Sequence, residues 1–247
     1  MRRHFLLFQL YGPLASWGDI AVGEVRPSFD RPSKSAIIGL LAAALGLKRD
    51  QDDDHRRLAS SFQFAVRLDA PGVYLHDYHT VQIPEGADVR NLPTRTDEIN
   101  FTKDGKSKLG TVLTYRDYYS DMLATVCLWQ HLKVESSYCS LSKLAAKLKE
   151  PVFTLYLGRK SCPPALPFDP VIVEADSVKD AFHHEDALFA DKWKELGLES
   201  DSTVRYFWEG KKDEFEHGPD MEIERWDAPG NRSRWQFSPR REYTKTE

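Results

Sequence analysis

Four short apolar runs, two leucine- and alanine-rich segments with marked ends, and one long polar insertion alternate along the first two thirds of this chain. Read in order they give strand, helix, strand, strand, helix, strand. That order predicts an α+β fold of the ferredoxin-like (RRM-like) βαββαβ plan, with a β-hairpin inserted between the second and third strands and a smaller β-rich part at the C-terminus. A chain of 247 residues with 41% hydrophobic content is long enough to bury such a core.

The first strand is the run 4–10, closed by Gly12-Pro13. Pro32-Ser33-Lys34-Ser35 then opens a helix over 36–45: serine supplies the N-cap, alanine and leucine fill the interior, and Gly46 ends it. The helix is apolar nearly all round, which predicts burial. A polar stretch, 49–57, leads to an alternating second strand at 62–68, and 123–129 reads as the third. Leucines at helical spacing over 140–149 make a second helix that stops before Pro151, and 153–157 reads as the fourth strand.

The insertion, 72–119, is too long for a turn. Its flanks, 73–83 and 111–115, are strand-like, and between them lies Lys103-Asp104-Gly105-Lys106-Ser107-Lys108, with Asp-Gly as a tight-turn pair. A projecting hairpin with a basic tip is expected. These elements define an RNA-recognition-like domain over 1–169. The remainder, 170–247, reads as an acidic helix (177–196) followed by short strands at 203–208, 221–226 and 234–237.

The net charge of −4 argues against a nonspecific nucleic-acid coat, but the charges are segregated. Bases outnumber acids up to Arg49, acids dominate from Glu174 to Asp227, and Arg240, Arg241 and Lys245 turn the end basic. The longest apolar run is too short to span a bilayer. Cys127, Cys139 and Cys162 are few, odd in number and widely spaced, a pattern of reduced thiols in a cytoplasm rather than of disulfides or zinc.

Several constellations offer chemistry. Tyr156-Leu157-Gly158-Arg159-Lys160-Ser161-Cys162-Pro163 breaks at glycine into a doubly basic turn suited to an anion. Trp17, in the loop after the first strand, either stacks on a nucleobase or plugs the core. Lys34 and Ser35 sit where a helix start favours phosphate, with Arg26 and Arg31 just upstream, although capping alone accounts for part of the pattern. Tyr115-Arg116-Asp117-Tyr118-Tyr119 sets an arginine among tyrosines; its guanidinium suits a displaced base or a bent single strand, the alternative being an ion pair with Asp117. His76 and His79 lie three apart on an extended segment and so face opposite ways, which argues against a shared metal. No phosphate-binding P-loop, G-x-G-x-x-G or G-x-S-x-G is present, and no cofactor or metal is expected.

Taken together and in this order, residues 12–18, Arg26-Pro27, 32–35, 62–67, Asp77-Tyr78-His79-Thr80, Tyr115-Arg116-Asp117-Tyr118 and 156–163 make the chain resemble the CasD family of subunits of the type I-E CRISPR surveillance complex, Cascade. The C-terminal third matches loosely, around 236–241. The resemblance implies a non-catalytic RNA-binding subunit that holds the 5′ repeat-derived handle of the CRISPR RNA (crRNA) and caps the backbone filament. It implies a hairpin thumb leaning on the neighbouring backbone subunit, contact with the large subunit, and target DNA met only through the complex. Arg116 matches the family arginine at the thumb base; Trp17, Arg26, Lys34, Ser35, Tyr115, Arg159 and Lys160 are placed around it as handle or phosphate contacts. Two alternatives stand beside this one. Tyr and His side chains near 74–79 would also suit a metal-independent endoribonuclease acting on repeat RNA, and a structural assembly protein with incidental RNA contacts would need none of these roles.

Overall fold

The first strand, β1, runs over Arg3–Ala15, well beyond the 4–10 run. Side chains of a strand alternate between faces, yet Phe5, Leu6, Leu7, Phe8 and Leu10 are all buried, because both faces of the sheet are covered. The computed structural model describes residues 2–86, 92–103, 108–131, 137–195, 197, 203–230 and 236–247. After β1 come β2 (Val25–Arg26), α1 (Lys34–Leu45), α2 (Asp52–Ser61), β3 (Phe62–Ala70), β4 (Val73–Pro84), α3 (Arg95–Lys103) and β5 (Leu109–Gln130). Then follow α4 (Leu141–Lys149), β6 (Val171–Ala175), α5 (Val178–Glu195), β7 (Arg205–Trp208), β8 (Met221–Pro229) and β9 (Phe237–Thr246).

The strands form one sheet in the order β6-β1-β5-β3-β7-β9-β8, with every neighbouring pair antiparallel. Leu128 and Ala124 of β5 sit opposite Leu6 and Leu10 of β1 on one side and Phe64 and Leu68 of β3 on the other. These residues join Ile37, Leu41 and Leu144 of the helices in the main core. On the opposite face, Phe5, Leu7 and Trp129 pack with Val178, Ala181 and Phe182 of α5 and with Tyr206 and Trp208 of β7. The face on which RNA-recognition modules stack bases is therefore covered by protein.

α1 has both predicted ends. The Ser33 hydroxyl accepts the Ala36 N–H, and Gly46 closes the helix in the left-handed region. The polar stretch 49–57 is mostly helix, not loop: α2 carries Asp52, Asp53 and Asp54 in its first turn, where the helix dipole favours them, and buries His55, Leu58 and Ser61.

The expected fourth strand at 153–157 is not a strand. Its apolar side chains Leu155 and Leu157 are buried, but its backbone is engaged elsewhere. The Val152 and Phe153 N–H groups donate to the Ala44 and Ala43 carbonyls at the end of α1, and Leu157 bonds with Cys162 and Ser16. The place beside β1 is taken by β6, fifteen or so residues later. Since β6 pairs with β1 and β7 with β3, the sheet runs without a break across the expected boundary at residue 169.

β5 spans 22 residues and has two parts. Its inner part lies in the sheet, and its outer part pairs with β4 from Val73↔Ser120 to Pro84↔Leu109, forming a two-stranded ribbon. The insertion also holds a helix, α3, that sequence patterning did not signal. The expected tip at 104–107 lies outside the described residues, as do residues 196 and 234–235 of the C-terminal expectations. The segment 203–208 is strand as β7, 221–226 lies within β8, and the last strand starts at Phe237 and continues to Thr246.

Candidate nucleic-acid interface

Three arginines converge where the ribbon leaves the sheet. β2 pairs in parallel with β5, setting Arg26 beside Arg116 and Val25 beside Tyr115. Beneath them the 156–163 turn packs on the loop after β1: the Ser16 N–H donates to the Leu157 carbonyl, and Ser16 Oγ donates to the Asp117 carbonyl at 2.8 Å. Gly158 has φ +82°, and a Cβ there would lie 1.8 Å from the Ser16 carbonyl oxygen. Only glycine permits this contact. Arg159 projects from the turn to donate to the Arg26 carbonyl at 2.7 Å, with its guanidinium 4.9 Å from the Tyr118 ring centre.

The two basic residues of the turn thus divide. Arg159 braces the junction, and Lys160 is exposed with no ion pair among the described residues. Arg116 is likewise exposed and unpaired among the described residues. The ion pair with Asp117 considered from sequence does not form, because Asp117 is buried and its Oδ1 lies 2.6 Å from His76 Nδ1. Arg26 donates to the Gly23 and Val25 carbonyls, which fixes its head group without neutralising it. A positive cluster lacking a paired carboxylate on Arg116 and Lys160 is suited to an anion from outside.

Other expected contacts are used within the protein. Trp17 is 4% exposed; its indole N–H points to Met122 Sδ at 3.1 Å, so the tryptophan plugs the core and has no face left for a base. Lys34 Nζ is clamped on the Glu209 carboxylate at 2.7 and 3.0 Å. The start of α1 is already served by an internal anion, since the Lys34 N–H donates to Asp227 Oδ2 at 2.9 Å. Ser35 Oγ lies 3.1 Å from Ser33 Oγ. The expected phosphate site at this helix start is therefore filled by a side chain.

Asp227 belongs to a buried charge network. Arg240 bonds to both Asp227 and Glu242, Arg31 and Arg225 also reach Glu242, and Arg31 and Arg205 flank Asp30. Burial raises the Asp227 and Glu242 carboxyls, but the surrounding arginines outweigh it and hold both below the usual carboxylate range. The network joins β8 and β9 to the start of α1.

On one face of the ribbon, aromatic rings form a ladder. His76 stacks on Tyr115 at 5.1 Å and 16°, Tyr74 lies 6.3 Å from His76 at 23°, and Tyr78 is tilted against Tyr115 at 5.6 Å. His79 turns instead to Asp77, 3.2 Å away. The two histidines have separate carboxylates, and no group of three or more potential metal ligands occurs among the described residues.

Alongside the arginine cluster runs a groove made of two adjoining clefts of about 290 and 700 Å³, which share Gly39, Ala43, Arg49, Leu155 and Tyr156. Arg159 lines the first cleft and Lys160 the second. Arg49 is exposed and was counted among the N-terminal bases, but its sequence context, a polar stretch, gave no hint that it borders a groove. Gly39 is the less obvious member: in mid-helix it costs about 1 kcal/mol relative to alanine, and nothing lies within 4 Å of where its Cβ would be. It leaves the groove floor open.

A family model described as "CRISPR-associated protein (Cas_Cas5)" matches residues 5–243. The chain belongs to the Cas5 family. Among curated relatives, the Cas5-family chain is 33% identical over 169 residues to the Cascade subunit CasD of Escherichia coli (strain K12), covering 65% of this chain and 67% of that one. A solved chain titled "CRISPR RNA-guided surveillance complex" superposes with a TM-score of 0.62 at 24% identity over 98% of this chain and 89% of its own length. A second, "Crystal structure of Cas protein", gives 0.59 at 25% identity over 98% and 93%. The resemblance to CasD drawn from the motifs therefore holds, and the large antiparallel sheet with helices is the architecture of these solved proteins.

Proposed function

We propose that this Cas5-family chain is a non-catalytic Cascade subunit that grips the 5′ handle of crRNA and caps the backbone filament. Its fold is read as a ferredoxin-like body, β6-β1-β5-β3 with α1 and α4, and the β4–β5 ribbon as the thumb directed at the neighbouring backbone subunit. The large subunit and target DNA are met through the assembled complex, in the cytoplasm; among the described residues no helix is long and apolar enough to cross a membrane.

The observation that carries this reading is the Arg26–Arg116–Arg159 cluster at the ribbon base, with Lys160 and Arg49 continuing it along the α1 groove. Exposed, unpaired cations beside an open groove suit a phosphodiester backbone whose splayed bases enter recesses. The buried Trp17 and the ion-paired, half-buried Lys34 act from behind, fixing the loop and helix that border the groove. A crRNA carrying photoreactive uridines through its handle is expected to crosslink to peptides containing Arg116 and residues 158–161. Crosslinks confined to α5 would exclude this site.

One observation favours a second reading: His76, oriented by Asp117 and stacked on Tyr115, has the form of an acid–base histidine. Endonuclease activity would appear as specific cleavage of repeat RNA in EDTA that is lost in His76→Ala. The non-catalytic reading expects no cleavage by either protein.

A further inference from the structure

Between Trp17 and Arg26 the chain makes a loop, Gly18-Asp19-Ile20-Ala21-Val22-Gly23-Glu24-Val25, that neither the core nor the arginine cluster explains. The loop is held by its own bonds. The Asp19 N–H donates to the Pro27 carbonyl at 3.3 Å and the Val25 N–H to the Val22 carbonyl at 3.3 Å, while Asp19 Oδ1 accepts the Ile20 N–H at 2.6 Å. An ordered tip is thus presented with its largest side chains outward: Ile20 is 73% and Val22 75% exposed, and Val25 follows at 42%. Single exposed aliphatics are ordinary on protein surfaces. Two at the tip of one hydrogen-bonded loop, backed by a third, form a compact apolar point.

Its location selects the partner. The C-terminal limb of the loop is anchored to the arginine cluster at two points: the Tyr115 N–H donates to the Glu24 carbonyl, and Arg159 holds the Arg26 carbonyl. A strand of nucleic acid whose phosphates lie on Arg26 and Arg116 would pass this tip with its bases within reach. Aliphatic side chains set beside phosphate-binding arginines are the elements with which proteins open a base step, exchanging base–base stacking for contact with an apolar wedge.

We propose that Ile20 and Val22 form a wedge that unstacks one nucleotide step of the bound guide RNA. This rests on the reading that the arginine cluster holds the handle. It assigns the loop an action, local separation of bases, that phosphate contacts alone do not supply.

The test uses the full-length protein and handle RNAs with 2-aminopurine placed at each position in turn, whose emission rises when its neighbour unstacks. Wild-type protein is expected to brighten one position several-fold. Ile20→Ser/Val22→Ser is expected to bind the same RNA without that rise; both residues project into solvent, so its thermal unfolding should match wild type. If RNA binds and no position brightens, or if the rise survives the double substitution, there is no wedge even though handle binding stands. A surviving rise together with loss of the variant from the assembled complex would assign the tip to a protein partner and likewise overturn the proposal. Absence of RNA binding by wild-type protein would overturn the underlying reading itself.

Discussion

At the scale of single residues, charge type did not decide function; partners did. Arg26, Lys34, Arg116, Arg159 and Lys160 are equally basic in the sequence, but Lys34 is neutralised by Glu209 and Arg159 is held by the Arg26 carbonyl. The carboxylates responsible lie some 175 to 193 residues away from Lys34, beyond the reach of any local pattern. Lys34→Ala is therefore expected to lower thermal stability and leave the salt dependence of RNA binding intact, whereas Lys160→Ala does the reverse; paired unfolding and binding titrations check this. Gly158, by contrast, was legible as a turn glycine, and the structure adds the reason for its strictness. Gly158→Ala is expected to destabilise by more than ~1 kcal/mol, because the alanine must adopt positive φ and its methyl would collide with the Ser16 carbonyl; chemical denaturation measures the loss.

At the scale of elements, strands and helices with complete local signals were readable. α1 announced itself through Ser33 and Gly46, and β3 through its alternation. The segment 153–157 misled because a buried apolar run specifies burial but not a hydrogen-bonded neighbour: the Phe153 N–H found the Ala43 carbonyl of α1 and the Leu157 N–H the Cys162 carbonyl. α2 was missed because its acidic, low-hydrophobicity start resembles a loop until Leu58 and Ser61 are seen to be buried. The open side of α1 yields a prediction of its own. Gly39→Leu meets no atom near its Cβ and should preserve or raise stability while filling the groove, so a loss of handle affinity with unchanged unfolding would show that RNA occupies it; unchanged affinity would remove the groove from the site. The β8–β9 pair depends on the Asp227–Glu242–arginine network. Glu242→Gln leaves buried arginines undercompensated and is expected to cost on the order of 3–5 kcal/mol. Because the folded-state carboxyls are depressed, their contribution is complete above the ordinary carboxylate pKa and disappears as pH falls through the lower folded values. Thermal unfolding should therefore weaken below about pH 4 in wild type, with a smaller acid-dependent drop in Glu242→Gln.

At the scale of the whole molecule, the sequence divided a basic first part from an acidic last part, and the structure joins them in one sheet. The acidic segment supplies α5, which covers the sheet face opposite α1, and the carboxylates of Glu209 and Asp227, which restrain Lys34 and Arg240. It thereby withdraws several bases from the surface and leaves Arg26 and Arg116 exposed at the ribbon base and Lys160 and Arg49 exposed along the groove. Net charge concealed this because neutralised and unneutralised cations count alike. Covering the sheet leaves no flat face for base stacking, and the candidate contact stays at the ribbon base around Arg116. The most direct measurement is the salt dependence of crRNA-handle affinity for wild type and for Arg116→Ala/Lys160→Ala. Removing two phosphate contacts should weaken binding and make the log–log slope shallower by about 1.4, at roughly 0.7 per contact on a single strand; equal affinity and slope in the two proteins would contradict an RNA grip at this site.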